Sequence, residues 1–242
     1  AFIANFNNNG GWTAPLVYNA NGEIVRDMKG DPLQMMFNYV SGGTGYEFKG
    51  GDAIYEDVNH DGNINQLDIV YLGNSLPKLT GGFGFKFNYG DWALNAQFNY
   101  RYGNKIANVA RMMAENMHGA DNQSTAVNYR WRKEGDGANG GHVLPRALYG
   151  QGYNWMGSDR FVEDGSFLRL NYLQLSYGFD SKLVKRIGLS RLNLYVSGEN
   201  LFCLTKYSGV DPEVNYGSMG VTKDEAITPR AKSFTFGLTA TF

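Results

Sequence analysis

The stretch GGFGFKFNYGDWALNAQFNYRY, residues 81–102, constrains the fold more than any other part of this chain. Phe83, Phe85, Phe87 and Tyr89 fall on one side of an extended backbone, with Gly82, Gly84, Lys86 and Asn88 on the other. After Gly90-Asp91 the pattern resumes, Trp92, Leu94, Ala96, Phe98, Tyr100 and Tyr102 lying opposite Ala93, Asn95, Gln97, Asn99 and Arg101. A strict period of two belongs to strands, and a two-residue connection makes the two strands an antiparallel hairpin. The last residues repeat the design: Phe234, Phe236, Leu238, Ala240 and Phe242 alternate with Ser233, Thr235, Gly237, Thr239 and Thr241. Two further strands are read in FLRLNYLQLSYGF at 167–179, where the alternation slips once and predicts a bulge, and in LNLYVSGENL at 192–201.

Two architectures accommodate strands that are apolar on one side and wet on the other. One is the wall of a transmembrane barrel, whose apolar side meets lipid and whose aromatics collect at the interfaces. The other is a soluble or surface-attached β-rich module that buries Phe83, Phe85, Phe87, Trp92, Leu94 and Phe98 against a second sheet. Composition favours the barrel: aromatic residues make up 14% of the 242 residues and glycine contributes 32. No apolar run reaches the roughly 18 to 20 residues of a membrane helix. Phe242, at the end of an alternating strand, resembles the assembly signal of bacterial outer-membrane barrels. The formal net charge of −1 provides no basic field for nucleic acid, and the single Cys203 excludes an intramolecular disulfide framework. The start at AFIANFNNNG carries neither a basic leader nor an apolar stretch, and a chain that begins with Ala in what reads as mid-strand is expected to be a fragment.

Connection lengths assign sides. Outer-membrane barrels have short periplasmic turns and long external loops. With Phe242 periplasmic, 202–230 is external, 180–191 periplasmic, 103–165 external, Gly90-Asp91 periplasmic, and 41–80 external again. Within 103–165, NKIANVARMMAENMHG places Ile106, Val109 and Met112/Met113 near helical spacing and predicts a short surface helix. Near the start, PLVYNANGEIV reads as a hairpin about Asn21-Gly22.

Inside 41–80 lies DVNHDGNINQLD, a twelve-residue loop of calcium type at 57–68. A hard cation takes oxygen ligands at positions 1, 3, 5, 7, 9 and 12, with glycine at the reversal. Those positions hold Asp57, Asn59, Asp61, Asn63 through its carbonyl, Asn65 and Asp68, and Gly62 stands at position 6. The closing residue is a short Asp where an EF-hand has a bidentate Glu, a pattern that resembles dockerin loops. YEFKGGDAIYE before the loop has no helical stripe, so the expected role is a structural calcium ion pinning an external loop, with a plain Asx-rich turn as the competing reading.

From about residue 45 to 242 the chain resembles the C-terminal part of SusC/RagA-type TonB-linked outer-membrane proteins of Bacteroidota. The resemblance rests on the Asp-Asn-Asp-Gly loop, Pro77 before Gly81-Gly82, the SGENLF strand end, DPEV from Asp211 to Val214, and the terminal Phe242. GDPLQMMFNYV matches the strand before the ion loop. The resemblance implies an all-β fold, part of a 22-stranded TonB-dependent transporter barrel with long extracellular loops, spanning residues 1–242 and lacking the plug. It also implies localisation in the outer membrane, import of oligosaccharides or oligopeptides, energy from TonB through an N-terminal region, a SusD-like surface lipoprotein as lid, and insertion by the barrel assembly machinery.

No catalytic constellation stands out. His60 lies in the ion loop, and His118 and His142 lack metal-ligand spacing. No Gly-x-Ser-x-Gly elbow occurs, and GGTGYEFKGG is neither preceded by an alternating strand nor followed by a helix. Asp211 and Glu213 are more readily loop residues than a glycosidase pair. The remaining candidates are external aromatics, Trp131, Tyr149, Tyr153 and Trp155, as contacts for substrate or for a partner protein, with packing of the long loops the stronger expectation.

Overall fold

The computed structural model describes residues 2–3, 15–38, 45–133, 136, 144–150, 153–213 and 222–242. The chain divides into two compact units, 1–72 with 110–161 and 73–109 with 162–242.

The first unit is built from short strands and tight turns. Asn19 caps the turn at Gly22 by accepting hydrogen bonds from the N–H groups of Asn21 and Glu23, so Tyr18 bridges Ile24 as the Asn-Gly pair predicts. β1 (Phe2–Ile3) is paired with β4 (Ala53–Ile54), while β2 (Met36–Phe37) lies between β3 (Tyr46–Glu47) and β5 (Asn63–Ile64). Val17, Met35, Phe37, Phe48 and Ile64 form its core. The Tyr46 and Tyr153 rings stack at 4.3 Å against it.

The second unit is dominated by one five-stranded antiparallel sheet. Its strands are β6 (Leu79–Tyr89), β7 (Trp92–Tyr102), β10 (Phe167–Gly178), β11 (Arg191–Thr205) and β13 (Ser233–Thr241), ordered β13-β11-β10-β7-β6. Register puts Phe83 opposite Phe98, Phe87 opposite Leu94, Leu94 opposite Leu175, and Leu194 opposite Leu238, so the apolar residues of all five strands share one side. That side is uncovered: Phe83 is 52% exposed, Phe87 60% and Phe236 81%. The alternative of a sandwich core is therefore wrong, because no second sheet lies over these rings among the described residues.

The slip predicted in 167–179 is a double bulge. Between the rows Ala96/Leu173/Gly198 and Phe98/Leu170/Phe202, β7 advances two residues, β10 three and β11 four. Asn171 is the extra residue of β10, and Asn200 adopts φ 52°, a left-handed conformation that Asn tolerates better than most side chains. Gly198 leaves room for Leu201, whose Cδ2 would lie 2.6 Å from a Cβ at that position. Beside the sheet, β8 (Lys105–Asn108) pairs with β9 (Val162–Asp164) and, in parallel, with β12 (Lys223–Asp224). Ile106 and Tyr207 are buried there.

Several expectations need correction. The helix read over 104–119 shrinks to α1 (Val109–Ala114), because 105–108 is strand. SGENLF does not end its strand, since β11 continues to Thr205. The segment GDPLQMMFNYV does supply a strand before the ion loop, the short β2, and its backbone pairs with the loop itself. The stretches 41–80 and 103–165, read as separate loops, contribute jointly to the first unit.

Candidate functional site

The loop 57–68 is knit by its own oxygens. Asp57, 6% exposed, accepts hydrogen bonds from the Asp61 and Gly62 amides at 3.2 and 2.9 Å. Asn59 Oδ1 accepts from Asp61 N at 3.0 Å, and Asp61 Oδ1 from Asn63 N at 2.7 Å. Asp68 closes the ring by accepting from Val58 N at 2.9 Å and Asn65 N at 2.8 Å, and it completes a capping box on the 3-10 turn Gln66–Asp68. Gly62, at φ 83°, makes the reversal against Val17. The amides of Met36 and Asn38 bond to the carbonyls of Gly62 and Ile64, which fastens the loop to β2.

The donor set fits a hard cation in kind: every candidate ligand is oxygen, and each carboxylate oxygen keeps a lone pair beyond the one given to an amide. Among the described residues, however, no three acidic, His or Cys groups converge on one point. Asn59 Nδ2 donates to Asp61 Oδ2 at 3.0 Å, so side chains and amides close this loop by themselves.

A second polar centre holds the first unit together. Asp52 is fully buried and accepts from Arg146 Nε at 2.6 Å, the Tyr46 hydroxyl at 2.7 Å, Lys49 N at 2.8 Å and Asn154 Nδ2 at 3.1 Å. Asn154 Oδ1 in turn accepts from Ala53 N at 2.9 Å. Burial, reinforced by the hydrogen bond to Asp52, pushes the Tyr46 hydroxyl up to about 12. Burial works against the Arg146 charge, but the hydrogen bond and charge of Asp52 outweigh it and raise that pKa. Tyr55 donates to the Tyr153 carbonyl at 2.6 Å and is likewise pushed up to about 12, chiefly by burial.

The four aromatic candidates divide. Tyr153 packs on Phe37 and Tyr46, and its carbonyl anchors Tyr55. Trp131 lies so close over Gly51 that a Cβ there would come within 2.2 Å of the ring. Trp155 packs beside His118 at 5.5 Å. Only Tyr149 of these four stands well clear, 82% exposed.

On the polar side of the large sheet, Asp211 and Glu213 meet Arg169 of β10. Arg169 contacts Asp211 at 2.5 Å and Glu213 Oε2 at 2.7 Å; the second is an ion pair whose N–H is not aligned for a hydrogen bond. Asn99 Nδ2 donates to Glu213 at 3.1 Å, and Arg230 approaches the same carboxylate at 3.3 Å. These carboxylates neutralise a buried guanidinium, and this cluster was not legible in sequence spacing because Arg169 is remote from residues 211–213 in the chain. Phe242 is 91% exposed beyond the end of β13.

A sheet with uncovered phenyl and leucine side chains on one side and amides, hydroxyls and a paired charge cluster on the other is part of an outer-membrane β-barrel. No family model matches the chain. It is 30% identical over 207 residues to TonB-dependent receptor P39 of Formosa agariphila, covering 76% of this chain and 19% of that protein. To TonB-dependent receptor SusC of Bacteroides thetaiotaomicron it is 28% identical over 200 residues, covering 79% and 18%. The solved RagAB peptide transporter is similar in fold, with a TM-score of 0.59 at 26% identity over 71% of this chain and 18% of that one. The chain is thus SusC/RagA-like, of the TonB-dependent receptor group. It spans about a fifth of the length of the curated relatives it matches.

Proposed function

We propose that this chain supplies part of the barrel wall of an outer-membrane nutrient importer. The observation that carries this reading is the uncovered apolar face shared by five paired strands, which only lipid satisfies. The receptor that contains it moves oligosaccharide or oligopeptide fragments without chemistry, draws energy from TonB, works beneath a SusD-like surface lipoprotein, and is inserted by the barrel assembly machinery with Phe242 as part of the signal. Support comes from the relatives, named TonB-dependent receptors, and from the RagAB neighbours, which are described as a peptide importer. The test is uptake: cells lacking the whole receptor are expected to lose accumulation of a fluorescent oligosaccharide or oligopeptide pool, and re-expression to restore it only when TonB is functional. Unchanged uptake of both pools in the deletion strain would refute the reading.

We further propose that Asp57, Asn59, Asp61, the Asn63 carbonyl, Asn65 and Asp68 hold a calcium ion. A bound divalent cation would neutralise three carboxylates crowded into twelve residues and draw the Asn oxygens inward. Through the bonds from Met36 and Asn38, that order would pass to β2 and the aromatic core. Adding a chelator to the whole receptor is expected to raise protease cleavage within 57–72 while the barrel keeps its heat-modifiable band. Equal cleavage with and without chelator would leave the loop as a self-closed Asx turn.

A further inference from the structure

The connection at the tight-turn end of the large sheet, residues 180–191, has a composition and exposure unlike the turn beside it. Asp180 caps α2 (Ser181–Lys185) by accepting from Lys182 N at 2.8 Å, and Gly188, at φ 80°, ends the turn that follows. Val184 points inward and is 2% exposed, which fixes the orientation of the segment. Leu183 and Ile187, one helical turn apart, are then turned outward and are 58% and 67% exposed. Lys182, Lys185 and Arg186 neighbour them in the same turn, all exposed and none in an ion pair among the described residues. Asp180 is the only carboxylate in this stretch, with Asp91 in the neighbouring turn.

This segment joins β10 to β11 at the tight-turn end of the wall. At the same end of the sheet lie Tyr89 and Trp92 of the β6–β7 hairpin, Tyr177 packed on Trp92 at 4.8 Å, and Phe179 edge-on to Tyr177 at 5.1 Å. Such an aromatic row marks the depth where acyl chains give way to headgroups. Ser190 N bonds to the Thr241 carbonyl at 2.6 Å, which ties the connection to the end of β13. Two outward apolar side chains ringed by cations, immediately beyond an aromatic row, suit an element that lies in the interface rather than in water.

We propose that residues 180–191 form an interfacial foot that binds anionic glycerophospholipid headgroups. Leu183 and Ile187 seat at the acyl boundary, and Lys182, Lys185 and Arg186 engage the phosphates. The inference rests on the barrel-wall reading above. Each cation near an anionic surface is worth about fivefold in preference for it, so the foot concentrates anionic lipid around this edge of the wall.

The experiment uses the whole receptor reconstituted in phosphatidylcholine nanodiscs with and without phosphatidylglycerol, and counts retained lipids by native mass spectrometry. The wild type is expected to retain phosphatidylglycerol several-fold above its bulk fraction. The triple variant Lys182→Glu, Lys185→Glu, Arg186→Glu is expected to insert equally well and return to the bulk ratio. Leu183→Ser with Ile187→Ser tests the apolar half and is expected to give an intermediate ratio. Insertion without headgroup preference, or a triple variant as enriched as wild type, overturns the foot and leaves the wall reading standing. Displacement of the retained lipid by inorganic phosphate would identify a phosphate site instead and also overturn it. Failure of the wild type to enter the bilayer would overturn both.

Discussion

Replacing Arg146 by Met is expected to destabilise the first unit by about 3 kcal/mol, the low end of the range for breaking a buried ion pair because Arg146 itself is partly exposed. Asp52, fully buried in the wild type, would lose its cationic partner and keep the Tyr46 hydroxyl, the Lys49 amide and Asn154 as its donors. Those donors cannot supply a compensating charge, so the ligating segments must open to admit water. Hydrogen exchange in the whole receptor reads this directly: amides of 49–54, 144–150 and 153–156 would lose protection while β10 and β11 keep theirs. Unchanged protection would mean that Asp52 is held by its neutral donors alone. The double variant Asp52→Asn, Arg146→Met is expected to recover much of the loss, since it removes the stranded charge together with its partner.

Phe85→Lys should cost about 2 to 4 kcal/mol of barrel stability, the penalty for a cation on a lipid face near mid-bilayer. Phe85 is at mid-height in β6, opposite Ala96, and is 51% exposed. The sign of the effect is diagnostic. In water, exchanging an exposed Phe for Lys is neutral or solubilising; in lipid it is a defect. Gln97→Lys, one residue from Ala96 and on the opposite side of the sheet, is the matched control and is expected to change little. Urea titration of the receptor refolded into bilayers, followed by heat-modifiable mobility, compares the two. Equal midpoints for the two variants would place the Phe85 side in water and refute the lipid-facing assignment.

How much of this was legible in the sequence depends on the range of the interaction. Period-two alternation is local, and it gave the five wall strands to within a few residues, with β11 longer by its far end. The Asn21-Gly22 hairpin was local as well. The bulge was foreshadowed because an apolar-in-phase strand cannot slip without an added residue. What the sequence concealed was assembly at a distance. Asp52 meets Arg146 and Asn154 from about a hundred residues away, and Arg169 meets Asp211 and Glu213 from the far side of a strand pair. No spacing rule joins such residues. Among the aromatic candidates, packing was the stronger expectation, and Tyr153 and Trp131 do pack; only the fold, in stretches with no periodic pattern, reveals that their neighbours are Phe37, Tyr46 and Gly51. The ion loop is the reverse case, a pattern plain in sequence whose oxygens are already shared with backbone amides.

The double bulge has a geometric result of its own. Over one rung of the sheet, β7 spends two residues, β10 three and β11 four, so strands that leave the tight-turn end in step arrive at the far end progressively out of step. In a closed cylinder, cumulative offset between neighbours is what sets the slant of the strands and thereby the bore. Asn171 in β10 and Asn200 with Leu201 in β11 therefore act as a vernier: three residues beyond the two that β7 uses, placed at a single height, adjust the pitch of the cylinder and bring Leu170 and Phe202 to the lipid side.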